Sequence, residues 1–345
     1  MKKLNIITFV AIFAAFTGLI YAGGGNRVGT AGSTQLLIPV GPRGIAMGST
    51  TLTDSRGIEA IFWNPANLSL SPGAAVMFSH MNYIADIGVE YGAISVNTGS
   101  FGSIGFAIKS LAIDDIQVTT VENPDGTGEF YKPQIITTGL TWSLQISDRI
   151  AIGLTGNLNL EKLALVSKSN VSFNAGISYR DLGNINGLSF GLVLKNIGPS
   201  SSYSGSGLSV STQEIPGYAR TGVSYYTIDA SSEDLPTTLE LGVGYKYSVD
   251  DVNSLRLDGI FQNSNYYYDE YRVGLEYNYN DLVFVRGGYI LTPEIDDKYA
   301  KENTLSAGFG LKFGLSESFN VKLDYAFLAR ELFDDTHVFG LTIEF

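Results

Sequence analysis

The sequence contains no cysteine, only two histidines, and 16% charged residues in a chain of 345. Without thiols there can be no disulfide, no thiolate zinc site and no lipid-modified N-terminal Cys; a chain that crosses an oxidising compartment gains by carrying none. The two histidines, His80 and His337, stand far apart in sequence, and no third type of metal ligand clusters with either. A barrel would set the first and last strands side by side, so a pair is conceivable, but a surface or lumen histidine is the simpler reading. Basic residues are outnumbered, 22 against 34 acids for a net charge of -12. With no basic stripe, nucleic acid is not an expected partner. There is no Walker-type loop, and the GFG and GVG triplets read as strand glycines. The acidic pairs Asp114-Asp115, Asp250-Asp251, Asp296-Asp297 and Asp334-Asp335 lack the spacing of an EF-hand and read as solvated loop charge. Neither enzyme chemistry, nor a cofactor, nor a metal is expected. Beyond residue 20, no apolar run is long enough to span a bilayer as a helix.

Three residue types are abundant: 40 Gly, 20 Tyr and 19 Phe, with a positive mean hydropathy. The chain is too apolar for disorder and too rich in Gly and Tyr for a helical protein. Met1-Lys2-Lys3 followed by the apolar Leu4–Ile20 and the small residues Ala22 to Gly25 reads as a secretory signal, residues 1–22, with a retained membrane helix as the alternative. Its removal would leave 34 acids and 20 bases.

The rest is alternation. In "TLELGVGYKY" the residues Leu239, Leu241, Val243, Tyr245 and Tyr247 share one face, against Glu240, Gly242, Gly244 and Lys246. "SLRLDGIF", "YRVGLEYNY", "LSAGFGLKF" and "FNVKLDYAF" repeat the pattern. A soluble sandwich would also alternate, but here one face is apolar strand after strand and the other is polar or Gly. That predicts an all-β fold: a transmembrane antiparallel β-barrel with lipid outside and a polar lumen. The expected strands are 73–82, 88–97, 101–110, 134–146, 149–162, 170–180, 187–197, 236–248, 253–263, 270–279, 282–292, 303–314, 318–328 and 336–345. These fourteen leave long connections after odd strands and short turns after even ones, as an outer-membrane barrel requires. "YARTGVSYYT", 218–227, would make a fifteenth and leave the closing pair parallel, so it belongs to a hairpin in the longest outer loop. The lumen face would carry charges of both signs, among them Glu240, Arg256, Asp258, Arg272, Glu276, Arg286, Lys322 and Asp324, with Lys246 and Lys312.

Residues 41–73 do not alternate, and the domains read as a signal (1–22), a hatch or plug (23–72) and a barrel (73–345). A barrel of this size must conduct water or be filled, and the lumen charges offer partners to hold a hatch. The segment carries Arg43-Gly44 and Ala46-Met47-Gly48, then Phe62, Trp63, Asn64, Pro65, Ala66 and Leu68. This "RG-x-AMG … FWNPA-x-L" arrangement resembles the PorV/PorQ proteins, whose barrel is similar to that of the FadL transporters of hydrophobic compounds. "LKNIG" (194–198), "YNDLVFVRGGY" (279–289), "LDYAF" (323–327) and "THVFGLTIEF" (336–345) extend the resemblance over most of the chain. The closing strand, ending on Phe345, resembles the signature by which the barrel assembly machinery recognises outer-membrane barrels.

What the resemblance implies is a component of type IX secretion in the Gram-negative outer membrane. It would sit in outer-membrane lipid, take cargo bearing C-terminal secretion domains from a translocon, and present outer loops as protein-binding surfaces. The alternative is a FadL-like importer of hydrophobic small molecules, which needs an apolar pocket in the lumen and a strand defect.

Overall fold

Hydrocarbon offers backbone groups no hydrogen-bond partner, so a sheet that crosses it must pair every strand on both sides. The computed structural model describes residues 28–55, 57–212, 224–293, 304–316 and 319–345, and in it fourteen antiparallel strands close into a barrel. They are β1 (Ala74–Asn82), β2 (Gly88–Asn97), β3 (Ser103–Ala112), β6 (Gln134–Gln145), β7 (Ile150–Leu163), β8 (Val166–Arg180), β9 (Leu188–Ile197), β12 (Thr238–Ser248), β13 (Asn253–Ser264), β14 (Glu270–Tyr279), β15 (Val283–Leu291), β16 (Thr304–Ser316), β17 (Phe319–Leu328) and β18 (Thr336–Glu344). Closure is made by β1 on β18, with Ala75 opposite Glu344 and Asn82 opposite His337.

Four further strands stand outside the wall as two-stranded ribbons: β4 (Ile116–Gln117) with β5 (Phe130–Tyr131), and β10 (Ser209–Thr212) with β11 (Ser224–Thr227). The second ribbon contains the end of "YARTGVSYYT", whose residues 218–223 lie outside the described ones. So do the signal segment 1–22 and residues 23–27. No described helix is long and apolar enough to cross a membrane.

Alternation has become two unlike faces. Phe78, Phe106, Phe173, Leu275, Phe309 and Phe339 stand exposed on the outside, whereas Thr141, Thr155, Ser172, Ser178 and Ser306 are buried within. One end of the barrel is closed by the short turns 98–102, 146–149, 249–252 and 280–282, and the other carries the long connections 113–133 and 198–237. By the rule for bacterial barrels the turn end is periplasmic and the loop end extracellular.

Most boundaries lie within two residues of the expected ones, and two of the shifts have a clear physical cause. β8 starts at Val166, not 170, because the β7–β8 hairpin continues above the wall, where the lipid no longer enforces alternation. β3 starts at Ser103, not 101, because Gly99–Phe101 forms a 3-10 turn and Gly102 has φ 93.

Small inward residues explain the glycine content. A Cβ on Gly191 or Gly242 would come within 2.7 Å of Leu52, one on Gly308 within 2.6 Å of Ala46, and one on Gly340 within 2.6 Å of Pro42. A Cβ on Gly288 would overlap the backbone nitrogen of Gly48. Each missing side chain makes room for the segment in the lumen.

Gly288→Ala is expected to cost about 1–3 kcal/mol through overpacking against backbone that cannot step aside, read as a lower unfolding temperature of the detergent-solubilised barrel. Gly92→Ala, whose new methyl would meet only Ile108 at 3.6 Å, should be close to neutral.

Candidate functional site

The lumen is occupied by residues 31–55 and 57–72, which enter at the loop end and leave at the turn end. Ala31 bridges to Asp234 in the longest loop. Ser33 and Gln35 donate to Glu161 on β7 (2.5 and 2.9 Å). At the far end Ala74 and Phe345 exchange backbone hydrogen bonds, and the Phe345 ring stands half-exposed beside Phe319.

Local chemistry shapes the segment. Pro42 opens the short helix Pro42–Ala46, a position where its fixed φ and missing N–H do no harm. Gly48 then turns the chain at φ 63, pressed against the backbone of Gly288 and Tyr289. Its N–H donates to Ser306 Oγ (3.0 Å), and that hydroxyl donates to the Ala46 carbonyl (3.1 Å). Gly44 lies under the Trp63 indole, where any side chain would collide with the ring. The two halves of the "RG-x-AMG … FWNPA" pattern are therefore one packed unit.

Asn64 caps the following turn by accepting from the Ala66 N–H (3.1 Å), and its amide donates to the carbonyls of Leu52 (2.9 Å) and Ile177 (3.3 Å). Pro65 and Ala66 rest on Gly153, and Asn64 on Gly176. Met47, Asn64 and Ala66 are fully buried, Trp63 nearly so.

On the other side the contact is ionic. Arg43 makes a bidentate pair with Glu276, both bonds 3.0 Å, and donates to the Asp54 carbonyl at 2.9 Å. Glu276 also binds Arg286 (2.6 Å), which binds Asp324 (2.6 Å), which binds Lys322 (3.2 Å). Arg256 bonds Asp258 (2.7 Å), Asp54 (3.0 Å) and the Thr53 hydroxyl (2.7 Å). Six of the eight lumen charges read from the sequence thus form a network gripping Arg43, Thr53 and Asp54.

The other two serve elsewhere. Glu240 pairs with Lys195 (3.0 Å) and Arg272 with Glu270 (2.6 Å), both beside a cavity at the loop end. Lys246 lines a cavity at the turn end, and Lys312 pairs with Asp281 (2.9 Å). The histidines do not face each other as a pair: His80 meets Glu90 (2.6 Å) and Asn82 (2.8 Å), His337 meets Tyr325 (2.8 Å). No described group of His, Cys, Asp or Glu could hold a metal ion.

Sequence reasoning did not single out Lys109, Lys195, Glu161 or Lys168. All four are inward and buried. The available signal was phase: Lys109 follows Gly105 and Ala107 on the inner face of β3. At the top of the β7–β8 hairpin Glu161 also accepts from Tyr203 (2.5 Å) and Lys168 (3.3 Å), and Lys168 binds Glu233 (2.6 Å). Burial first, then the Glu161 carboxylate, push the Tyr203 phenol well above its usual pKa.

Two cavities flank the segment. The loop-end one, of about 360 Å³, has Leu36, Pro39, Ile45, Phe62 and Trp63 of the segment as its floor, while its walls set Tyr83 and Leu328 among the polar Lys195, Glu240, Gln262, Glu270, Arg272 and Arg330. The turn-end one, of about 570 Å³, is bordered by Arg43, Asp54, Arg256, Glu276 and Lys322. The first is an apolar-floored basin, the second a polar vestibule.

No family model and no curated protein matches the chain. Solved structures do. The CymD monoaromatic hydrocarbon channel aligns with 90% of this chain and 98% of its own at TM-score 0.56 and 12% identity. The Pseudomonas putida toluene transporter TodX aligns over 87% and 96% (0.53, 13%), and a Pseudomonas aeruginosa FadL homologue over 87% and 96% (0.50, 12%). The chain shares the fold of these outer-membrane barrels. At these identities the likeness concerns fold, and the residues of the basin are this chain's own.

Glu276 serves two guanidinium groups at once. Glu276→Gln should therefore cost about 3–5 kcal/mol, as uncompensated buried charge does, and more than Arg43→Met, which leaves Glu276 with Arg286. Denaturant unfolding of both variants and of the double variant, where part of the loss should be recovered, checks the order.

Proposed function

We propose that this FadL-type barrel admits small hydrophobic molecules from the loop end and that the lumenal segment is the barrier they must pass. The observation that carries this is the loop-end basin. Its floor is apolar and belongs to the barrier itself, and its volume lies in the range of small-molecule sites. The fold shared with a monoaromatic hydrocarbon channel and a toluene transporter supports it. The expected strand defect is modest: the β8–β9 ladder shifts register between Phe173 and Ala175, and β16–β17 between Gly314 and Ser316.

A second reading, that the barrel receives secreted cargo for a type IX translocon, has its own observation. The β10–β11 ribbon and the chain after it expose Val210, Tyr225, Tyr226 and Ile228 at the loop end, an apolar surface of the kind that contacts proteins. The hatch residues that resemble PorV/PorQ proteins, among them Arg43, Met47, Trp63, Asn64 and Ala66, are interior, so they describe how a plug is seated and do not choose between the readings. A photocrosslinker at Tyr226 that captured proteins sharing a C-terminal domain would favour secretion.

Trp63 and Trp142 are the only tryptophans. With Trp142→Phe in place, toluene should shift or quench the Trp63 emission saturably, and an emission unmoved by toluene would remove the basin from the account. Deleting residues 41–66 should leave an insertable barrel with raised conductance in planar bilayers; an unchanged conductance would show that the segment is not the barrier.

A further inference from the structure

Lys109 is buried (4% exposed), and its ammonium donates to two neutral groups, the carbonyls of Gln35 (2.7 Å) and Ile38 (3.1 Å) of the lumenal segment. No carboxylate among the described residues pairs with it. Carbonyl dipoles do not neutralise a cation, and a buried charge without a counter-charge is costly.

Its neighbours are also short of partners. Directly across on β2 is Tyr91 and on β6 is Thr137, both inward. Both hydroxyls are buried and have no hydrogen-bond partner. Lys109 therefore stands between two idle hydroxyl donors.

Lys195 lies nearby, since the Lys109 and Lys195 ammoniums are 5.1 and 5.2 Å from the centre of the same Phe62 ring. Its charge is already answered by Glu240 at 3.0 Å. Glu59, the plug carboxylate in electrostatic contact with Tyr91, makes no ion pair with Lys109 and feels the charges of Lys322 and Arg43. Of the two ammoniums, Lys195 has a carboxylate partner and Lys109 has none among the described residues. These side chains line a cavity of about 50 Å³ behind Phe62, larger than the 10–15 Å³ or so that one water-sized particle needs.

We propose that this cavity is a binding site for a small monovalent anion, a halide or a carboxylate of formate size, held by Lys109 with the hydroxyls of Tyr91 and Thr137. The chemistry calls for an acceptor that brings one negative charge. A bound anion would neutralise the cation that tethers Gln35 and Ile38, and so would hold the upper part of the lumenal segment against β3. The site does not depend on what the barrel transports.

The test is bromide soaked into crystals of the full chain, read by anomalous scattering, with unfolding temperatures in bromide, formate and sulfate. An anomalous peak within hydrogen-bond distance of Lys109 Nζ is expected, absent in Lys109→Met and weakened in Thr137→Val, and displaced by formate if carboxylates share the site. In solution the melting temperature in bromide relative to that in sulfate at equal ionic strength should be higher for the wild type than for Lys109→Met, since the general stabilisation by sulfate acts on both. A cavity without a bromide peak overturns the proposal. A peak that persists in Lys109→Met also overturns it, because other groups would then hold the ion.

Discussion

Fourteen strands enclose more volume than their own inward side chains fill, and the rest of the structure answers to that volume. Lipid fixes the outer face, which leaves the inner face free to be small. The wall uses the freedom by placing Gly, Ser and Thr inward where the lumenal segment approaches and charges inward where it must be gripped. The composition that looked odd for a globular protein, rich in Gly and Tyr with few charges, is the composition of a wall wet on neither side along much of its length.

The grip is uneven around the circumference. From β3 through β9 the segment is held by close contact: Ile61 and Leu68 over Gly105, Pro65 and Ala66 over Gly153, Leu52 over Gly191. From β13 through β17 close contact continues, with Gly48 on Gly288 and Ala46 on Gly308, and the ions Arg256, Glu276, Arg286 and Asp324 are added to it. Close packing loses its dispersion contacts as soon as surfaces part, whereas an ion pair can exchange its partner for water.

The wall was legible because the bilayer imposes a strict period of two on every strand, and fourteen strands with their connections follow from that period. Where the lipid stops, so does the legibility: β8 rises four residues past its expected start because Ser167, Lys168 and Ser169 carry no alternation of hydropathy. The lumen charges were legible by phase, but their duties were not. Arg256 and Arg272 alternate identically, yet one meets Asp54 and the other lines the basin, and only the height of each on its strand decides. Lys109 and Lys195 were passed over because a single lysine near the end of an apolar strand looks like a strand terminus. Phase alone says that each points inward, and the segment it meets there comes from far away in sequence.

The shared carboxylate bears on how such a barrier can open at all. If Arg43 alone held Glu276, withdrawing the helix Pro42–Ala46 would strand a carboxylate inside the wall, a cost of several kcal/mol. Because Arg286 also binds Glu276 at 2.6 Å, the wall keeps its charge balanced when Arg43 leaves. Arg43 itself borders the turn-end cavity, so the charge set free moves toward water and not into hydrocarbon. Asp54 is likewise left with Arg256 at 3.0 Å. The ion pairs on this side could therefore part without stranding a charge, an exchange that close-packed contacts do not offer.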